Sequence, residues 1–262
     1  MHPIRPFAVA SIRTAFAATL IGAVLAAGCA RDTPAESAAK ARSALARKDV
    51  ATAEIHAKNA IKDRPDDAEA RALLAEVHSA AHNYRAAEKE WSRALELGLA
   101  ADRATPSLMA ARVLTDDPKR ALEAAEQYPA TDPQAAAWVA YWSGRAHVMA
   151  GRTADAERAF YIASREPAAA VPARVGLLGL RAGAGDLRGA EAGLDALLST
   201  TPSSIEAMTL KASLRMAAGD AAGARKALSR ALEIDPGDVQ ARLRLVSIQI
   251  ESGELDAAVA QH

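Results

Sequence analysis

The apolar positions of this chain recur at helical spacing, in pairs of short stripes. Within residues 66–98, one stripe contains Leu73 and Val77 and a second contains Tyr84 and Trp91. Residues at i, i+3, i+4 and i+7 lie on one face of an α-helix. The pattern therefore predicts two amphipathic helices joined by a short turn.

The same pair of stripes recurs with a period of 34 residues. Four glycines occupy the turns of successive units: Gly151, Gly185, Gly219 and Gly253. Alanines occupy the helices that follow the turns, with one step of 35 residues among steps of 34: Ala53, Ala87, Ala121, Ala156, Ala190, Ala224 and Ala258. One helix pair cannot bury its own apolar face, whereas stacked pairs can. The repeat predicts an all-α array of seven units.

The turn residues indicate how each pair reverses direction. A helix that ends and reverses within a few residues needs a left-handed backbone position, which glycine adopts without steric cost. Lys48, His82 and Asp116 occupy that place in the earlier units, and we expect their turns to be more strained or differently built. Prolines recur near the close of most units and are expected to end the second helix and to start the connection to the next unit: Pro65, Pro133, Pro167, Pro202 and Pro236.

Two helices per 34 residues, with a small residue in the first, glycine at the turn, alanine in the second and proline at the close, resemble the tetratricopeptide repeat. The resemblance implies an all-α, right-handed superhelical solenoid of antiparallel helix pairs over residues 34–262, with about six full repeats and a truncated seventh. The third unit has Met109 and Tyr128 at usually small places and an early Pro118. We expect the least regular geometry there.

The first residues have the pattern of an export signal. Arg5 and Arg13 precede an uncharged run that is shorter than the ~20 apolar residues of a membrane-spanning helix. The run ends in LAAGC, which resembles a bacterial lipobox. The resemblance implies a lipoprotein signal peptide at residues 1–28, a lipidated Cys29 and a short linker at residues 29–33. Ordinary secretory cleavage, which would leave Cys29 as a free thiol, is the alternative.

The residue after the cysteine bears on the expected membrane. Ala30 stands where aspartate in many lipoproteins signals retention in the inner membrane. The resemblance therefore implies the bacterial outer membrane, with the protein on its periplasmic face. Two or more acyl chains would anchor the chain stably.

Charge and composition exclude several classes of function. The chain has 32 Lys and Arg residues against 32 Asp and Glu residues, so it lacks the positive field that nucleic acids require. Cys29 is the single cysteine, and no internal disulfide can form. No nucleophile elbow or triad motif occurs. We predict a protein that is not an enzyme and has no cofactor and no small-molecule substrate.

Two motifs resemble ligand sites but are incomplete. His78 and His82 have the i, i+4 spacing of zinc peptidases, yet Ser79 stands where that motif needs glutamate, and no third ligand is near. The segment GAGDLRG, residues 183–189, has neither a preceding strand nor the Lys-Ser/Thr ending of a phosphate loop. We predict a helix end, a hairpin turn and no metal site.

The strongest candidate binding residues lie in the first helix of the fourth unit. Trp138, Tyr141, Arg145 and Met149 form one stripe at i, i+3, i+7 and i+11 in a chain that is only 4% aromatic. First helices line the concave surface of tetratricopeptide arrays, and aromatic residues and arginine dominate binding hot spots. The stripe therefore predicts a partner-binding site. Packing against the irregular third unit is the alternative, and we expect Trp142, which is off the stripe, to pack there.

The segment that follows the lipobox, ALARKDVATAEIHAKNAIKDRPDDAEAR, resembles the start of the tetratricopeptide lipoproteins of the exosortase (PEP-CTERM) system. The resemblance implies a non-catalytic scaffold that binds envelope proteins in exopolysaccharide export or in surface-protein sorting. Two alternatives remain: a pilotin-type outer-membrane lipoprotein for pilus secretins, and the regulatory arm of an enzyme whose catalytic domain lies beyond residue 262. Members of the family are longer than this chain, so we expect a fragment or a truncated reading frame.

Overall fold

The computed structural model describes residues 32–62 and 64–251, and thirteen α-helices make up most of these ranges. No strand occurs within them. The chain divides between Pro65 and Asp66 into two compact units. The first contains α1 (Pro34–Ala46) and α2 (Val50–Lys62). The second contains α3 (Ala68–Ala80), α4 (Tyr84–Glu96), α5 (Ala101–Leu114), α6 (Pro118–Gln127), α7 (Pro133–Met149), α8 (Thr153–Ala163), α9 (Pro167–Gly183), α10 (Leu187–Thr200), α11 (Ile205–Ala217), α12 (Ala221–Ile234) and α13 (Val239–Glu251).

Successive helices form hairpins, and three residues separate the two helices of each one. Each hairpin from α1–α2 to α11–α12 corresponds to one unit of the sequence repeat, and α13 is the first helix of the seventh. The prediction of two helices per unit is confirmed. None of the helices in the described ranges is both long enough and apolar enough to cross a membrane.

The hairpin turns share one backbone conformation. In the second hairpin, the N–H of Asn83 donates to the carbonyl of His78 at 2.9 Å and the N–H of His82 donates to that of Ser79 at 3.0 Å, which is the Schellman pattern. The middle residue of each described turn has a positive φ: Lys48 (59°), His82 (56°), Asp116 (64°), Gly151 (69°), Gly185 (95°) and Gly219 (78°). The turns without glycine are therefore built like the glycine turns. They carry the expected strain, which costs about 1–2 kcal/mol at each such residue.

In most hairpins the residue after the left-handed position caps the second helix, whereas Arg152 in the fourth forms no side-chain cap. Asn83, Asp117, Asp186 and Asp220 each accept a hydrogen bond from the backbone N–H three residues further on. A side-chain cap of this kind stabilises a helix by about 1 kcal/mol. Three consecutive residues thus end one helix and start the next.

The recurring prolines correct one expectation. Pro133 and Pro167 are the first residues of α7 and α9, so they begin a helix instead of ending the one before. A proline fits this position because the first N–H groups of a helix have no intrahelical acceptor to lose. The other three prolines, Pro65, Pro202 and Pro236, lie in the connections between units.

The core consists of small residues that allow close helix contacts and large residues that fill the space between layers. The large side chains of Leu95, Phe160 and Leu228 are buried, as predicted. The repeat alanines within the described ranges have no exposed surface: Ala53, Ala87, Ala121, Ala156, Ala190 and Ala224.

The irregular third unit keeps the hairpin and shortens its second helix. Met109 is fully buried and belongs to the same core cluster as Trp91. Pro118 begins α6, which has 10 residues where α4 has 13. Tyr128 follows the end of α6, and its carbonyl accepts a hydrogen bond from the hydroxyl of Thr105 at 2.8 Å. The departures from the repeat pattern thus remove about one helical turn.

Candidate functional site

Helix α7 carries the predicted binding stripe and has a well-defined start. The carboxylate of Asp132 accepts a hydrogen bond from the N–H of Ala135 at 3.0 Å, and Pro133 occupies the first helical position. The helix has 17 residues, four more than α3, the first helix of the second sequence repeat. Its side chains therefore extend further along the hairpin than those of the earlier first helices.

The structure brings three of the four predicted residues together. The ring centroids of Trp138 and Tyr141 are 5.6 Å apart, with the rings nearly perpendicular. A guanidinium N–H of Arg145 donates to the hydroxyl of Tyr141 at 3.2 Å. Trp138 and Arg145 are half-buried, whereas Tyr141 is only 7% exposed and belongs to a core cluster with Phe160. Met149 is 39% exposed and lies apart from this group at the end of α7.

Trp142 packs against the third unit, as predicted. It contacts the cluster that contains Leu108 and Met109, and a second one that contains Val113 and Ala121. The guanidinium carbon of Arg145 lies 5.7 Å from the centroid of an indole ring of Trp142. Trp142 therefore connects the third unit to the arginine of the stripe.

A groove with a volume of about 630 Å³ lies next to Tyr141 and Arg145. Tyr141, Arg145 and Val148 line it from α7. The remaining lining comes from α8, α9 and α11 and is mainly apolar: Thr153, Phe160, Pro172, Val175, Gly176, Gly179, Leu180, Gly183, Ala184, Glu206 and Leu210. Val148 is 45% exposed, although it is apolar. An apolar concave surface with a few polar groups is typical of binding sites.

Glycines on α9 form part of this groove, and our sequence analysis missed them. Gly176, Gly179 and Gly183 lie at i, i+3 and i+7, on one face of the helix. A Cβ atom at Gly176 would lie 2.8 Å from the ring of Phe160, so glycine is needed there for packing. Glycine inside a helix costs about 1 kcal/mol relative to alanine. Three glycines at helical spacing within an otherwise apolar helix were the signal that could have revealed this face.

Trp138 faces a different depression, of about 460 Å³, between α5 and α7. Trp142 and Pro106 line it with Trp138, and so do the carboxylates of Asp102 and Asp132. The predicted stripe is thus divided between two surfaces. Tyr141 and Arg145 line the larger groove, and Trp138 lines the smaller depression.

Arg145 is the main charged group on the α7 wall of the groove. Its guanidinium contacts two neutral groups, the hydroxyl of Tyr141 and the ring of Trp142. Among the described residues, no carboxylate lies within ion-pair distance of it, whereas other arginines, such as Arg71 with Glu90 at 2.7 Å, are paired. A half-buried cation without a counter-ion is a favourable position for a partner's carboxylate.

Two titratable groups near the site have shifted pKa values. Backbone hydrogen bonds from Asp132 and Thr131 lower the pKa of Asp102, so this carboxylate stays ionised at a lower pH than an ordinary aspartate does. Burial lowers the pKa of His147 below its usual value of 6.5, with a further contribution from the charge of Arg152. The imidazole of His147 is therefore neutral at pH 7.

The other candidate sites fall outside this cluster. His78 is buried, and Nδ1 of His82 lies 2.8 Å from the hydroxyl of Tyr84. Within residues 32–62 and 64–251, no group of three or more histidine, cysteine, aspartate or glutamate residues could hold a metal ion. Cys29, the predicted lipidation site, lies outside the described residues.

Comparisons with known proteins agree with the helical repeat. A thermophilic tetratricopeptide protein of Thermus thermophilus superposes with a TM-score of 0.61 at 22% identity, over 70% of this chain and 100% of that one. A tetratricopeptide protein of Parabacteroides merdae gives 0.62 at 16% identity, over 87% and 90%. PilF of Pseudomonas aeruginosa gives 0.55 at 18% identity, over 83% and 97%. Similarity at these identities shows a common fold.

The sequence comparisons are more local. No protein of curated function matches the chain. Residues 215–261 match the tetratricopeptide repeat family, and this segment contains the end of α11, all of α12 and α13, and the turn glycine Gly219. Residues 215–261 are thus similar to the tetratricopeptide repeat family, and the chain has the all-α fold of tetratricopeptide proteins.

Proposed function

We propose that this protein is a non-catalytic scaffold that binds a segment of a partner protein in the groove between α7, α9 and α11. The observation that carries the proposal is the groove itself. It is concave and mainly apolar, has a volume of about 630 Å³, and lies mainly on the first helices of successive repeat units. Val148 is apolar yet 45% exposed, and Arg145 contacts only the neutral groups of Tyr141 and Trp142. A partner segment would bury the first and neutralise the second.

The roles within the predicted stripe differ. Tyr141 supports the groove from the core, since it is 7% exposed and packs on Phe160. Arg145 and Val148 present the contact surface. Trp138 would take part only if the partner also reached the smaller depression, and Met149 would contribute at the end of α7.

The proposal predicts that a charge in the groove weakens partner binding while leaving the fold intact. Val148→Lys places an ammonium group in the apolar surface that the partner must cover. We expect at least a tenfold loss of affinity, equivalent to about 1.4 kcal/mol. The measurement is quantitative capture of the partner by the full chain from cells, followed by titration of the purified pair.

Ile234→Lys is the matched control. Ile234 is 42% exposed where Val148 is 45%, both residues are β-branched, and both lie in the last turn of a helix. Ile234 is not part of the groove lining. Equal binding by the two variants would overturn the proposal.

We further propose that the scaffold is tethered to the outer membrane through lipid on Cys29 and faces the periplasm, where its partners are envelope proteins of exopolysaccharide export or exosortase-linked sorting. The sequence LAAGC and the alanine at position 30 support this proposal. Mass spectrometry of the mature N-terminus tests it. A peptide that begins at Ala27 or Gly28 with an unmodified thiol would contradict the tether.

The pilotin and enzyme-arm alternatives have less support. The similarity to PilF is one of fold, at an identity within the range of the other two structures. No feature of the groove favours either alternative. Capture of a secretin by the wild-type chain, lost in Val148→Lys, would favour the pilotin role.

A further inference from the structure

The glycines of α9 are not all explained by the fold of this chain. On α9, Gly176 is required by the ring of Phe160, as Gly144 is on α7, because a Cβ atom would lie 2.8 and 2.6 Å from that ring, respectively. A Cβ atom at Gly179 would meet only a methyl group of Leu210, at the ordinary contact distance of 3.8 Å. At Gly183 it would meet nothing within 4 Å. Alanine would fit both positions and would favour the helix.

These two glycines leave the backbone of α9 uncovered where it forms part of the groove. Helix axes pack 8–10 Å apart, and the side chains at the contact determine the distance. A glycine face allows the closest approach. The groove therefore suits a partner element that packs its own backbone closely along α9.

The polarity of the groove favours a helical partner. An extended segment would bring unpaired N–H and C=O groups into the groove, and burying them without partners is costly. The polar side chains that line the groove are only Arg145, Thr153, Glu206 and Tyr141, and the hydroxyl of Tyr141 already accepts a hydrogen bond from Arg145. Because α9 is a helix, it offers no strand edge to which an extended segment could bind. An α-helix satisfies its own backbone and needs only side-chain contacts.

Charged side chains on the two walls of the groove determine which charges the two flanks of such a helix should carry. Arg145 on α7 contacts only neutral groups, as described above. Glu206 on α11 has one hydrogen bond of 3.3 Å, from the hydroxyl of Ser204, and no ion pair among the described residues. A helix lying between these walls would meet a positive charge on one side and a negative charge on the other.

We propose that the partner segment is an amphipathic α-helix whose small and apolar face packs on Gly179 and Gly183 and whose flanking carboxylate pairs with Arg145. This inference rests on the proposed function, because it names the conformation and chemistry of the segment that occupies the same groove. A basic residue on the opposite flank of the helix would face Glu206.

The test uses a library of stapled helical peptides with the full chain. Each peptide has about 14 residues and is roughly 21 Å long. The contact face varies among Ala, Leu and Met, with Glu on one flank and Lys on the other. A matched library carries two central prolines, which prevent a helix. Affinities of the selected peptides are then compared on wild type, Gly179→Ala, Arg145→Gln and Val148→Lys.

Gly179→Ala separates binding from folding, because its two expected effects have opposite signs. The added methyl group should raise the melting temperature by a few degrees, since alanine favours the helix. It should lower the affinity of the selected helical peptides at least tenfold, because the methyl group keeps the partner's backbone away from α9. Arg145→Gln should lower the affinity of peptides that carry Glu severalfold. The affinity of the same peptides with Gln in place of Glu should stay unchanged.

The remaining outcomes overturn one or both proposals. Three outcomes would overturn the proposal of a helical partner. The selected peptides could bind Gly179→Ala as tightly as wild type, the proline peptides could bind as tightly as the helical ones, or the helical library could contain no binder. If Val148→Lys still weakened the proline peptides, the groove would remain a binding site for an extended segment. If Val148→Lys left every selected peptide unaffected, the groove function would also be lost.

Discussion

At the scale of single residues, the hairpin turns show how strain is distributed along the repeat. His82 adopts φ 56° and Gly219 adopts φ 78° at equivalent positions. Glycine has no Cβ atom to clash with the backbone in this conformation, whereas histidine does. The sequence identified the turns and the strained ones among them, because the requirement for a left-handed residue is local.

This difference predicts opposite effects of two exchanges. His82→Gly should raise the free energy of unfolding by about 1 kcal/mol, because it relieves the strain. The side-chain bond that the exchange removes, with the hydroxyl of Tyr84, is exposed, and exposed contacts contribute little. Gly219→Ala should lower the free energy of unfolding by a similar amount. Nothing lies within 4 Å of the added Cβ, so backbone strain at the positive φ is the only cause of the loss. Urea denaturation measures both, and a stabilising Gly219→Ala would contradict the account.

At the scale of elements, one carboxylate connects the third unit to the fourth. Asp102 on α5 accepts hydrogen bonds from the backbone N–H of Asp132 at 2.9 Å, from that of Thr131, and from the hydroxyl of Thr131 at 2.9 Å. These bonds hold the segment that leads into α7. The position of the aromatic stripe therefore depends on a contact between residues about 30 positions apart, which the repeat pattern does not reveal.

The lowered pKa of Asp102 predicts a pH-dependent stability. Because the folded-state pKa lies below the unfolded value, the contribution is present above the unfolded pKa, about 3.9, and is lost as pH falls through the folded value. Asp102→Asn should lower the melting temperature at pH 7, and the difference from wild type should shrink below about pH 4. Glu157→Gln, at an exposed site on α8, is the control and should show no such trend. A difference that stays constant down to pH 2 would contradict this role.

At the scale of the whole molecule, the second compact unit shows how neighbouring hairpins stabilise one another. Within the second compact unit, Phe160 contacts the glycine backbones of two successive first helices, at Gly144 and Gly176. It is 1% exposed and lies in a cluster that contains residues of α7, α8 and α9. Arrays of this kind have stabilities that are roughly sums of unit and interface contributions.

Phe160→Ala should therefore weaken the array locally. The lost ring contacts and the cavity should cost about 3–5 kcal/mol, concentrated in α7, α8 and α9. Hydrogen exchange followed by mass spectrometry should show these helices exchanging faster while α11 and α12 keep most of their protection. A uniform acceleration across residues 66–251 would show a single cooperative unit instead.

The sequence by itself determined the helices, their turns, the period of the repeat and the placement of Trp138, Tyr141 and Arg145 on one helix. These features depend on the spacing of apolar residues and on the backbone needs of short turns, which act over a few residues. Only the tertiary structure decided that Tyr141 is buried while Val148 is exposed, and that the glycines of α9 face a groove. Burial at one helix depends on side chains that neighbouring helices supply, such as Phe160 against Tyr141, and local pattern does not encode those contacts.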